Sequence, residues 1–183
     1  MVKINTGFHK IVWEFLLACL QVKINGGYIS EKERQIIVAS PWISDLSNRN
    51  LTLKSPLYDG VQINIRRRLS SLSNVLITLA EEGFEVIVVT SKPGCSIWKR
   101  DWEPLNIERD RNLQELWKSK GIQVFHDEKS HVKSISTPVG VIDGSANITD
   151  NGFFKNTEHM EVTDFCDPSF AQNRHVVQQL VPN

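Results

Sequence analysis

The chain has 183 residues, 40% of them apolar, with 21 basic and 21 acidic side chains. That length and composition suit one globular domain with its own hydrophobic core. The balanced charge excludes a global field drawing the protein to nucleic acid or an anionic membrane, so any polyanion has to be gripped by a local patch.

The first predicted element is a helix, because Ile11, Val12, Phe15, Leu16, Cys19 and Leu20 recur at the spacing of one helix face. Glu14 interrupts this run, no small-residue cleavage site follows it, and it is too short to span a bilayer. It reads as a core helix of a cytoplasmic protein rather than a leader. Cys19, Cys95 and Cys166 are far apart and in no zinc-type spacing, which makes them buried or incidental thiols.

A turn at Asn25-Gly26-Gly27 leads to residues 34–40, RQIIVAS, a β-branched run that reads as a buried strand ending at Pro41. Residues 46–60 lack periodicity and are expected to form a surface loop. Ile65, Leu69, Leu72, Leu76 and Leu79 form a helical stripe that stops at Gly83, and residues 85–89 give a second buried strand. Residues 92–106 read as another loop, 109–120 as a helix ending at Gly121, and 122–125 as a third strand. Extended segments follow at 131–136, 139–142 and 158–163, before a last helix from about Pro168. Strands alternating with helices, then clustering, predict an α/β fold: a mixed sheet covered by helices on both faces. The expected organisation is a single domain over 1–183, with an N-terminal helix and turn at 1–30, a core at 31–165 and a C-terminal helix at 166–183.

The chemistry concentrates in His131-Val-Lys133, Gly144-Ser145-Ala-Asn147 and Glu158. On a strand, His131 and Lys133 would project from one face, so an imidazole and an ammonium would share a pocket. Ser145 and Asn147 add hydrogen-bond donors, and a carboxylate can fix an imidazole by accepting its second N–H. Together these groups would cradle a tetrahedral phosphate. Singly, each is weak: a lone His on a strand is commonly structural, and Gly-Ser is a common turn.

The ordered set HVKSISTPVGVIDGSAN resembles the signature of the phospholipase D superfamily, H-x-K followed by G-S-x-N. The resemblance runs from about Glu31 to Phe165, through RQIIVASPWISD, LITLAEEGFEVIVVT and the lead-in LWKSKGIQVFHDEKSHVK. Glu158 lies eleven residues beyond Asn147, as the catalytic-site Glu does in small bacterial nucleases of the family. Two departures stand out: Pro138 replaces an Asp usual five residues after the Lys, and the His-to-Gly span is one residue short. BfiI-like metal-independent restriction endonucleases depart at that Asp as well. Asp143 stands where the family usually has an apolar residue and reads as a turn contact rather than a pocket residue.

The resemblance implies a phospholipase D-like fold and a phosphodiesterase needing no cofactor and no metal, with Lys133, Ser145 and Asn147 relieving charge on the phosphoryl oxygens. One His cannot both attack phosphorus and protonate the group leaving from the opposite side, so two His-x-Lys sets are required. His9, His126, His159 and His175 lack a Lys two residues on, so a homodimer sharing its active site is the natural solution. One His131 would form a phosphohistidine while the other protonates the leaving group, and Glu158 would hold the imidazole tautomer.

The superfamily spans nucleases, lipases and phosphatidyl transferases, so the substrate stays open at this point. Nucleic acid is favoured by the short single-motif chain and by basic residues in segments expected to rim the site: Arg66, Arg67, Arg68, Lys92, Lys99 and Arg100. The three consecutive arginines cannot all face one groove and read equally as a solvated helix start. Trp98 and Trp102 beside them could stack on bases, sit at a lipid interface or pack the loop. The alternatives are a lipid phosphodiesterase and a degenerate nucleic-acid-binding or dimerisation module. A separate specificity partner in a bacterial restriction or defence setting is a further expectation from the family, with no membrane involved.

Overall fold

A computed structural model describes residues 8–24, 29–46, 70–95, 104–154 and 158–182. They form one six-stranded sheet with helices on both faces, in agreement with the expected fold class. The helices are α1 (Phe8–Ile24), α2 (Leu72–Glu81), α3 (Pro104–Ser119), α4 (Asp150–Phe154) and α5 (Phe170–Gln178). The strands are β1 (Gln35–Ala39), β2 (Glu85–Thr90), β3 (Gln123–His126), β4 (Ser134–Thr137), β5 (Gly140–Gly144) and β6 (Met160–Asp164).

The strand order is β3-β2-β1-β4-β5-β6. β1, β2 and β3 run parallel, joined by α2 and α3, whereas β4, β5 and β6 pair antiparallel. This is what the residues require. β1 and β2 are continuous apolar runs because both their faces are covered. Their alternate residues divide between two cores. Ile36, Val38, Val86 and Val88 pack with Ile135 and Ile142 under Trp13 and Leu16 of α1, Leu76 and Leu79 of α2, and Trp117 of α3. Ile37, Ala39, Ile87, Val89 and Val141 face Val177 of α5.

Local signals set the ends of the helices. Ser71 caps α2 by accepting from the Asn74 N–H at 3.3 Å, and Asp45, from the loop after β1, accepts from the Ser73 N–H at 2.8 Å. Gly83 and Gly121 follow α2 and α3 with φ of +85° and +80°, where a residue with a Cβ would be strained.

Several expectations need correction. His131 to Lys133 precede β4 rather than belonging to it, and Glu158 precedes β6. The segment 92–106 is not loop throughout: α3 begins at Pro104, a residue suited to the first helical position because it lacks an N–H to satisfy. Leu46 is buried, and its carbonyl accepts from the Leu72 N–H at 2.8 Å, so it belongs to the core rather than to a surface loop. Asp143 lies in β5, opposite Ser134 and Glu161, and not in a turn. The helix α4 and the short 3-10 turn Glu31–Glu33 had no counterpart in the sequence reading.

Candidate active site

The antiparallel register brings the start of β4, the end of β5 and the start of β6 to the edge of the sheet where β1, β2 and β3 end. His131, Lys133, Ser145, Asn147 and Glu158 all lie in the segments adjoining that edge, although the chain between the first and last of them passes through two strands and a helix. Loops at the carboxyl ends of parallel strands are the usual place for a site in an open α/β sheet.

Lys133 is 7% exposed, whereas His131 is exposed. The Lys133 ammonium lies 2.6 Å from His131 Nδ1 and donates to the His131 carbonyl oxygen, also at 2.6 Å. The two side chains therefore converge as expected, although they do so ahead of the strand. Gly144 N–H donates to the Lys133 carbonyl at 3.0 Å, which continues the β4–β5 ladder into the site and fixes the lysine backbone. Burial pushes the Lys133 pKa down, and the Glu158 carboxylate nearby opposes this. A protonated Lys133 makes Nδ1 an acceptor, which puts the imidazole proton of neutral His131 on Nε2.

Ser145 donates its hydroxyl proton to Glu158 Oε2 at 2.5 Å and accepts from the His159 N–H at 3.0 Å. Its own N–H reaches the His159 carbonyl at 2.9 Å, so β5 and β6 remain laddered up to the site. Ser145 thus orients Glu158 in this state, and its proton is committed there rather than to an incoming oxygen. The Asn147 Oδ1 is buried with no hydrogen-bond partner among the described residues. Such an atom costs about 1–3 kcal/mol, a cost tolerated at sites that await a ligand or water.

Arg66, Arg67, Arg68, Trp98, Lys99, Arg100 and Trp102 lie outside the described residues. Lys92 is described, 3.9 Å from Glu128 in an exposed ion pair near the carboxyl ends of β2 and β3. Cys19 is buried, with its thiol pushed up to about 12 mainly by desolvation; Cys95 is partly buried and Cys166 exposed, all three as free thiols. No group of three or more His, Cys, Asp or Glu side chains is placed to hold a metal ion among the described residues, and no described helix is long and apolar enough to cross a membrane. Ser40 also reaches the Asn147 segment from the far side of the chain. Its hydroxyl accepts from the Ile148 N–H next to Asn147, and no local pattern announces a contact between residues so far apart in the chain.

The sequence matches no protein-family model and no curated protein. The structure is similar to that of a phospholipase D family member, Nuc from Salmonella typhimurium, with a TM-score of 0.47 and 16% identity over 81% of this chain and 76% of that one. It is also similar to NucT from Helicobacter pylori, with a TM-score of 0.43 and 14% identity over 92% of this chain and 88% of that one.

Proposed function

We propose that the protein is a metal-independent phosphodiesterase that cleaves nucleic acid through a phosphohistidine, acting as a homodimer with one His131 from each subunit in a shared site. The observation that carries this reading is the convergence of the Lys133 ammonium on His131 Nδ1 at 2.6 Å, near a Ser145–Glu158 hydrogen bond of 2.5 Å. A nucleophile, a cation and a carboxylate thus gather where no metal is needed to offset phosphoryl charge.

In the resting arrangement Lys133 occupies Nδ1. A phosphodiester supplies better acceptors, so its non-bridging oxygens draw the ammonium away. The imidazole proton then passes to Nδ1, where the Glu158 carboxylate accepts it, and Nε2 gains its lone pair. Nε2 attacks phosphorus, a P–N bond forms, and the P–O bond to the leaving group breaks. The leaving oxygen takes a proton from the partner subunit's His131, which enters this step doubly protonated and is left as the neutral imidazole. Water then attacks phosphorus, gives its proton to the partner subunit's His131, and the P–N bond breaks to release a phosphomonoester. Lys133 and the Asn147 amide hold the equatorial oxygens throughout.

The test uses plasmid, single-stranded DNA, RNA and phosphatidylcholine vesicles in excess EDTA, with wild type and His131→Ala unfolded together and refolded to scramble the subunits. Cleavage of a nucleic acid is expected to persist and to follow the square of the wild-type fraction, because only pairs of intact chains are competent. A linear dependence overturns the shared site. Loss of activity to the chelator, restored by a divalent cation, overturns the metal-free chemistry, and turnover of vesicles alone overturns the substrate.

A further inference from the structure

Asn147 lies on no regular element, so something outside its own segment has to hold it. The helix α4 starts three residues later, and the bridge between Ile43 and Ile148 ties the segment to the loop that leaves β1. The Ser44 N–H donates to the Ile148 carbonyl at 2.9 Å, and Ile43 and Ile148 are both buried in the larger core. Between these lies Ser40, 2% exposed, at the end of β1. Its hydroxyl donates to the Trp42 carbonyl at 2.7 Å and accepts from the Ile148 N–H at 3.2 Å. A single buried hydroxyl therefore joins the central strand to the peptide that follows Asn147. Its donor and one acceptor position are both used inside the protein, which leaves its proton unavailable to a substrate.

The other side of Asn147 is held by α4. A Cβ on Gly152 would collide with the Asn147 carbonyl oxygen, so only glycine lets the helix close over that backbone. The Thr149 N–H donates to the same carbonyl at 2.8 Å.

We infer that Ser40 is a positioning residue that sets where Asn147 sits in the site, by holding the Ile148 N–H to the end of β1 against the close packing of Gly152. The inference rests on the reading of Asn147 as a phosphate ligand. Losing the hydroxyl leaves the Ile148 N–H without its partner in a buried place, and the segment shifts to satisfy it. Misplacement of a ligand by about 1 Å costs on the order of 100-fold in rate when the donor matters mainly in the transition state.

The experiment compares isotopically labelled wild type, Ser40→Ala and Ser40→Thr in the full chain. For Ser40→Ala, the Ile148 amide should exchange faster, the Asn147 side-chain amide signal should move, and kcat on an oligonucleotide should fall by about 10- to 100-fold with KM within about twofold. Ser40→Thr keeps the hydroxyl and should restore both the Ile148 protection and most of kcat, which a merely space-filling role would not do. Should Ser40→Ala fail to fold, Ser40→Cys, which fills the space of the hydroxyl but hydrogen-bonds weakly, takes its place and should show the same loss of Ile148 protection and the same shift of the Asn147 signal. Unchanged Ile148 protection and an unmoved Asn147 signal in folded Ser40→Ala overturn the inference. An Asn147 signal that moves while wild type cleaves no phosphodiester supports the positioning and leaves the phosphodiesterase reading as the part that failed.

Discussion

Two buried cations mark the two ends of β4. Lys133, 7% exposed, stands just before the strand, and Arg174, 9% exposed, reaches its last residue from α5. Arg174 donates to the carbonyls of Thr137 at 3.3 Å, Glu33 at 2.7 Å and Gln35 at 3.2 Å. Its planar fork thus joins the end of β4, the approach to β1 and the C-terminal helix, with acceptors that do not titrate. Lys133 instead turns to one residue, His131, meeting its ring Nδ1 and its carbonyl oxygen. A structural cation is spread over fixed backbone carbonyls, whereas this lysine is aimed at an exposed imidazole with a carboxylate nearby. Burial lowers the pKa of both, so burial alone does not separate them.

Replacing each cation by methionine gives the sharpest contrast. Lys133→Met should lower cleavage by about 100- to 1,000-fold, the cost of one donor aimed at developing charge. It should not lower the melting temperature, because an apolar side chain replaces a buried charge. Arg174→Met should do the reverse. Three backbone carbonyls, that of Thr137 buried and those of Glu33 and Gln35 partly so, lose a charged donor, for a loss of roughly 3 kcal/mol in denaturant unfolding, with near-normal kcat in the folded fraction. Steady-state rates and urea melts of the two variants check both. A Lys133→Met protein that unfolds, or an Arg174→Met protein as stable as wild type, removes the distinction.

That contrast also marks what the sequence could convey. β1 and β2 were legible because runs such as Gln35–Ala39 and Glu85–Thr90 are β-branched and bounded by turn residues. The candidate site stood out as an ordered set of residue types, and within it the structure brings Lys133 to His131 and Ser145 to Glu158. The strand assigned to His131 and Lys133 was wrong, because alternation of side chains reads the same in a ladder and in the extended approach to one. Nothing in the sequence marks Arg174, since the carbonyls of Glu33 and Gln35 that it reaches are 141 and 139 residues away. Ser40 was hidden for the same reason, with Ile148 lying 108 residues away. The helix α4 was missed because five residues that include a glycine carry no periodicity.

The proton on Lys133 offers a finer separation. Its pKa lies below the ordinary 10.5, mainly through desolvation. Activity should therefore decline as pH rises through that lowered value, earlier than for an exposed lysine, because the neutral amine no longer meets phosphoryl charge. Stability should move the other way. Between the lowered folded value and 10.5 the unfolded chain holds the extra proton, so unfolding free energy rises with pH across that window. Below the window the cost of the buried charge is present in full. A kcat profile and urea melts in the same buffers check both slopes, and the Lys133 contribution to the stability slope should vanish in Lys133→Met. An activity limb at or above 10.5 would mean that Lys133 is not the titrating group.

The smallest expected effect belongs to Asp143, whose place in β5 opposite Ser134 sets it apart from the residues that gather at His131. Ile135 and Ile142 belong to the larger core, so the alternation of strand side chains turns Ser134 and Asp143 to the other face of the sheet. Burial raises the Asp143 pKa above 3.8, the Ser134 hydroxyl opposes the shift, and Glu161 on the next strand adds to it. Between 3.8 and the raised value the folded protein holds a proton that the unfolded chain has lost, so stability falls as pH rises through that window. Above it the cost of the half-buried carboxylate is fully present. Asp143→Asn keeps the shape and discards the charge, so it should be slightly more stable than wild type above the window and should lose that advantage below it, where the wild-type carboxyl is neutral. Cleavage should stay within about twofold, since nothing in the proposed chemistry passes through that face. Melts of the two proteins at acidic and neutral pH, with rates at neutral pH, test this directly. A rate loss comparable to that of Lys133→Met would bring Asp143 into the site and make the proposed pocket span both faces of the sheet.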